Sequence, residues 1–129
     1  MKVSIITSCY NRAGTIRCAI ESVLAQDYPD IEYIIVDGAS TDGSTEIIRQ
    51  YEGRVARIIS EPDRGMYEAI NKGIRAATGD IVGLMHSDDF FFDNHVVSDI
   101  VKRFEKTDAD FVYGLSLIHI SEPTRLLSI

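Results

Sequence analysis

Basic residues are scarce in this chain. Thirteen lysines and arginines face twenty aspartates and glutamates, a net charge of −7 at pH 7. They form no stripe able to track a nucleic-acid backbone, so a nucleic-acid binder is disfavoured. Nucleotides are not excluded, because one divalent cation supplies positive charge locally. Cysteine is nearly absent. Cys9 and Cys18 are the only two; they make neither a metal nor a redox spacing, and both are expected as buried, reduced thiols. Long apolar runs are missing as well. Val3–Ile6 is too short for a signal peptide or a membrane span, so a cytoplasmic protein is expected, with an anchor outside the visible chain left open. No GxGxxG follows the first apolar run, and no GxxxxGK precedes a Ser or Thr, which disfavours dinucleotide and P-loop sites. There is no GxSxG elbow, and no internal repeat or low-complexity segment.

What is present alternates. The 129 residues suit one domain at most. Val3–Ser8 reads as a strand. Ile16, Ala19, Ile20, Val23 and Leu24 then recur at helical spacing, with Pro29 past the end. Ile31–Val36 is a second strand, and Ile47, Ile48 and Tyr51 mark a second helix. Val55–Ile59 is a third strand. Met66, Ala69, Ile70, Ile74 and Ala77 share one helical face, with Gly79 as a stop. Ile81–Met85 is a fourth strand. Val96, Val97, Ile100, Val101 and Phe104 mark a fourth helix, with Asp93 or Asn94 as its cap, and Asp110–Tyr113 opens a fifth strand. Strand–helix alternation predicts an α/β fold with a mostly parallel sheet flanked by helices. Such sheets bind ligands outside the carboxyl ends of their strands.

The candidate chemistry lies at those ends. Asp88 and Asp89 follow the fourth strand. Adjacent carboxylates repel, so a nearby cation or set of donors suits them, and Mg²⁺ or Mn²⁺ takes one or two carboxylates plus substrate phosphates. A solvated helix-capping turn is the plainer alternative. Asp37 ends the second strand before Gly38, where it could accept from a base N–H or a ribose hydroxyl, or simply form a turn. Tyr10 could stack on a base and Asn11 bond its edge; Asn11 could equally cap the next helix. Asp42 reads as a loop or cap residue. Arg64, near the start of the third helix, could meet a phosphate. Lys72 is either a phosphate ligand or a surface ion-pair partner. His86 is the most ligand-like histidine, though a hydrogen-bonded strand-end role also fits. His95 is expected to face solvent.

Four blocks, in order, carry a resemblance: Val3–Thr7 through Tyr10-Asn11-Arg12; Ile35–Ser44; Glu61–Gly73; and Ala77–Asp80 through Ser87-Asp88-Asp89. They resemble glycosyltransferase family 2 over residues 1 to about 114, and the third block is similar to the branch that builds colanic-acid-type bacterial surface polysaccharides. The resemblance implies the nucleotide-binding half of a GT-A fold, an inverting mechanism, and a nucleotide-sugar donor with Mg²⁺ or Mn²⁺, UDP being the first choice of nucleotide. It implies Asp37 at the base with Tyr10 and Asn11 nearby. It puts Asp88 at the ribose and proximal phosphate, and Asp89 at the metal as principal ligand. Arg64 and Lys72 are weaker correspondences. The acceptor would be a saccharide or a lipid-linked sugar, at the inner face of the membrane. The general base of such enzymes lies downstream, and nothing after Asp110 matches it. A non-catalytic nucleotide-binding module is therefore the alternative. A nucleotidyltransferase would want a Gly-rich basic loop after the first strand, which Cys9–Gly14 does not supply.

Residues 115–129 depart from this pattern. Leu115–Arg125 resembles an in-frame translation of a transposase-end sequencing adapter, and the segment is expected to be non-native. On that reading the natural product continues beyond Gly114 with a different sequence.

Overall fold

A computed structural model describes residues 1–91, 93–107, 111–112 and 116–119. Its elements run β1 (Val3–Cys9), α1 (Ile16–Leu24), β2 (Ile31–Asp37), α2 (Ser44–Arg49), β3 (Arg57–Ser60), α3 (Met66–Ala76), β4 (Ile81–Leu84), α4 (Val96–Thr107), β5 (Phe111–Val112) and β6 (Ser116–His119). The sheet order is β3-β2-β1-β4-β6-β5. The first four strands are parallel neighbours; β6 runs antiparallel to β4 and to β5. The expected α/β architecture is what forms.

Side-chain alternation along β1 builds two layers. Val3, Ile5 and Cys9 face the side on which Ile16, Ile20 and Val23 of α1, Ile48 of α2 and Val97 and Val101 of α4 pack. Ile6 faces the other side, with Ile34, Val36, Val82 and Ala69 of α3. Gly73 lets α3 approach closely: a Cβ there would stand 2.5 Å from Cγ2 of Ile6.

Three expectations shift. Cys9 is buried, but Cys18 is exposed; residues 16, 19, 20 and 23 of α1 face the core, and position 18 falls on the opposite side. The third strand starts at Arg57 rather than Val55, because Val55 is held in a short bridge to Glu52. β6 lies within 115–129, where hydrophobic periodicity assigned no element; four residues beside β4 are too few to show a period. Phe104's side chain and residues 108–110 and 113 lie outside the described ones.

Candidate functional site

The strand order reverses at β1, with β2 on one side and β4 on the other. A parallel sheet opens a crevice at such a point, beyond the carboxyl ends of its strands. A cleft of about 860 Å³ lies there, and its lining includes Tyr10, Arg12, Gly38, Asp63, Met66 and Asp88. That volume suits a nucleotide-sized ligand.

Its floor is built by hydrogen bonds among loops. Asp37 is fully buried and sits in register with Cys9 of β1 and Ser60 of β3. Its Oδ1 accepts from the Ser40 hydroxyl at 2.6 Å, and its Oδ2 accepts from the hydroxyls of Thr45 at 2.6 Å and Ser60 at 2.9 Å. A buried carboxylate needs such donors, and these three join β2, α2 and β3. Asn11 adopts a left-handed backbone, φ 53°, which asparagine tolerates better than most residues. Its N–H donates to Ser40, and its side-chain oxygen accepts from the Thr41 N–H at 2.8 Å. Asp42 accepts from the Ala13 and Ser44 N–H groups. The Ser44 hydroxyl, then the Ala13 amide, hold its carboxyl below the usual range. Burial first, and the Asp37 charge second, push the Cys9 thiol up, so it stays protonated beneath the cleft.

The residues singled out by sequence therefore separate. Tyr10, exposed, and Asp88 line the cleft. Asp37 and Asn11 do not present their oxygens to it; those atoms are engaged with neighbouring loops. Arg64 is almost fully exposed and, among the described residues, pairs with Glu68 at 4.0 Å. Lys72 is held by Glu61 at 3.1 Å, by Glu68 at 3.7 Å and by the Pro62 carbonyl. Both lie off the cleft lining. Asp89 is exposed beside the cleft, and its Oδ1 accepts from the Phe90 N–H. His86 lines the cleft. His95 is exposed, as expected, but its Nδ1 pairs with Asp27 at 2.5 Å.

Asp63 and Arg12 escaped the sequence reading as site residues, and Gly38 makes room for the first. Gly38 has no side chain, and the Asp63 carboxylate occupies the space beside it: an oxygen stands 3.0 Å from where a Cβ would be. Asp63 anchors itself by accepting from the Gly65 N–H through Oδ1. The signal available was small, a glycine directly after the strand-end aspartate. Arg12 also reaches the lining, and no ion pair is seen for it among the described residues. No group of three or more His, Cys, Asp and Glu gathers among the described residues. Asp88 lines the cleft and Asp89, exposed, follows it in sequence; by chemistry they offer two carboxylates. That fits a hard cation which takes its remaining oxygens from phosphate and water.

A parallel sheet with a cleft at its switch point defines an α/β class that takes ligands beyond the carboxyl ends of its strands. Residues 4–127 match the family model for glycosyl transferase family 2, and the chain belongs to that family. TuaG of Bacillus subtilis, named for teichuronic acid biosynthesis, is 35% identical over 119 residues, covering 90% of this chain and 47% of that protein. The S. aureus TarS 1-349 structure in complex with UDP superposes with a TM-score of 0.77 at 26% identity, over 85% of this chain and 34% of that one. The mannosyltransferase PcManGT of Pyrobaculum calidifontis, in complex with GDP-Man and Mn²⁺, gives 0.74 at 31% identity, over 80% and 32%. The chain spans between about a sixth and a half of the length of the curated relatives it matches. No helix among the described residues is long and apolar enough to cross a membrane.

Proposed function

We propose that this chain is the donor-binding half of an inverting hexosyltransferase that moves a sugar from a nucleotide diphosphate to a saccharide or lipid-linked acceptor in cell-envelope polysaccharide synthesis. The cleft at the switch point, with Tyr10 and Asp63 on one side and Asp88 on the other, carries this reading. Tyr10 offers its ring to the base. Asp63, rather than Asp37, offers a carboxylate oxygen to a base N–H. Arg12 is the cation nearest to hand for a phosphate. Asp88 and Asp89 would hold Mg²⁺ or Mn²⁺, which when bound neutralises charge on a departing diphosphate. Complexes of TarS with UDP and of PcManGT with GDP-Man and Mn²⁺ support the donor class and the metal; the name of TuaG supports the polysaccharide context.

The general base that would deprotonate the acceptor hydroxyl would lie downstream of residue 114, in the acceptor half. Residues 1–114 are the donor-binding part and 115–129 a non-native tail, which resequencing of the encoding DNA past the Gly114 codon tests. The site would work on the cytoplasmic side, with peripheral association at the membrane.

Calorimetric titration of UDP and GDP, with and without Mn²⁺, tests the reading. Binding should need the metal and weaken about tenfold or more in Asp88→Asn, the scale of a lost charge-assisted contact. Nucleotide binding indifferent to both would overturn it. The chain alone should bind donor without steady sugar transfer.

A further inference from the structure

The segment that carries Asp88 and Asp89 has little structure of its own. Among the described residues it is closed locally by the Asp89 N–H to the His86 carbonyl and by two side-chain acceptors, Asp89 Oδ1 for the Phe90 N–H and Asp93 Oδ1 for the His95 N–H. Its placement comes from α1. The Phe91 N–H donates to the Ser22 hydroxyl at 3.1 Å. The Gln26 amide donates to the Asp93 carbonyl at 2.7 Å, and its oxygen accepts the Val97 N–H at 3.0 Å. The Asp27 N–H donates to the Asn94 carbonyl at 2.8 Å. The Asp27 carboxylate meets His95 Nδ1. Gln26 therefore shares the capping of α4 with Asp93, one of the two expected caps: Gln26 accepts the first-turn Val97 N–H, and Asp93 Oδ1 accepts the His95 N–H just before it at 2.8 Å. These contacts join the end of α1 and two residues of the connection after it, Gln26 and Asp27, to the stretch after the carboxylates and the first turn of α4.

We propose that Gln26, Asp27 and His95 are positioning residues that latch the Asp88–Asp89 segment to α1, and that the Asp27–His95 pair makes metal–nucleotide binding depend on pH. The inference rests on the donor site proposed above. The groups facing His95 are all acidic: Asp27 from the α1–β2 connection, Asp93 from its own segment, and Asp99 from the first turn of α4. The Asp27 hydrogen bond and charge raise the imidazole above its ordinary value, so the protonated, ion-paired form persists further toward neutrality. As pH rises through that titration the pair loses its charge, and the latch weakens without breaking.

The test is calorimetric binding of UDP with Mn²⁺ across about pH 5.5 to 8.5, where histidine titrates. The terminal phosphate titrates near pH 6 in every variant, so slopes are compared between proteins. His95→Asn keeps a nitrogen donor near Nδ1 and removes the charge. Relative to it, the native chain should gain up to about fivefold in affinity at the acid end, the most an exposed ion pair supplies. Gln26→Leu should weaken binding about tenfold at all pH values, through the loss of its side-chain hydrogen bonds to Asp93, Val97 and the Ser22 carbonyl. It should also speed hydrogen exchange at Val97 without metal or nucleotide. Metal-dependent binding with the same pH slope in His95→Asn, and the native affinity in Gln26→Leu, would overturn the latch alone. Absence of metal-dependent binding in the native chain would overturn the donor site and, with it, the latch.

Discussion

Gly38 and Asp63 stand in tight contact: a carboxylate oxygen of Asp63 lies 3.0 Å from where a Cβ at position 38 would be, closer than a side chain there could sit without Asp63 giving way. The glycine is what lets this acid lean into the cleft. Gly38→Ala should displace Asp63 and weaken UDP binding by roughly threefold to tenfold, the scale of one polar contact. Asp63→Ala should have the same effect on UDP and leave the binding of Mn²⁺-pyrophosphate unchanged. Competitive titration with the two ligands separates the base from the phosphates. Equal losses for both would remove Asp63 from the base.

Asp37 is predicted to matter for folding first. It is fully buried and gathers three hydroxyl donors. Asp37→Ala leaves those donors without their acceptor and should cost about 2–4 kcal/mol. Thermal unfolding measures this directly. A protein of native stability that had lost nucleotide binding would instead return Asp37 to the ligand.

These two acids show what the sequence makes legible. Hydrophobic periodicity locates β1, β2, α1, α3 and α4, because burial follows spacing wherever a helix or strand covers the core. It also puts Tyr10, Asp37 and Asp88 at the correct sheet edge. It cannot say which way a strand-end carboxylate turns. That depends on Ser40, Thr45 and Ser60, which come from three different elements and meet only after folding. Asn11 is illegible for the same reason, since its partner Thr41 lies 30 residues away. Gln26 gives no local sign of capping α4, because the contact spans 71 positions. Arg64 and Lys72 illustrate the converse: charge suggested phosphate, and neighbouring glutamates hold them elsewhere.

Stability should depend on the Asp27–His95 pair in one pH window. Asp27 is lowered from its ordinary value by the His95 hydrogen bond first, so its contribution is present above the ordinary aspartate pKa and lost as pH falls through the lower folded value. His95 is raised by the Asp27 hydrogen bond first, so its contribution is complete below the ordinary histidine pKa and lost as pH rises through the higher folded value. The unfolding temperature of the native chain relative to His95→Asn should therefore be greatest between about pH 4 and 6.5. A constant difference at all pH values would dissociate His95 from any titrating role.

The contact between Gly73 and Ile6 predicts a packing defect. An added methyl would stand 2.5 Å from Ile6 Cγ2, inside any allowed separation. Gly73→Ala improves helix propensity yet should destabilise by about 1–3 kcal/mol, because overpacking outweighs that gain. Chemical denaturation of Gly73→Ala alone and with Ile6→Val tests it; the second change should restore part of the loss.

The loops beneath the cleft leave no slack. Asp37, Asn11 and Asp42 each bind oxygen to hydrogen across separate segments, and no buried side-chain polar atom among the described residues lacks a partner. On the proposed reading, a floor already saturated in this way would have nothing to offer an ill-fitting base by rearranging. It would select by refusal, as a mould does, and tolerance for different donors would have to arise at the other wall, where the carboxylates hang from a borrowed support.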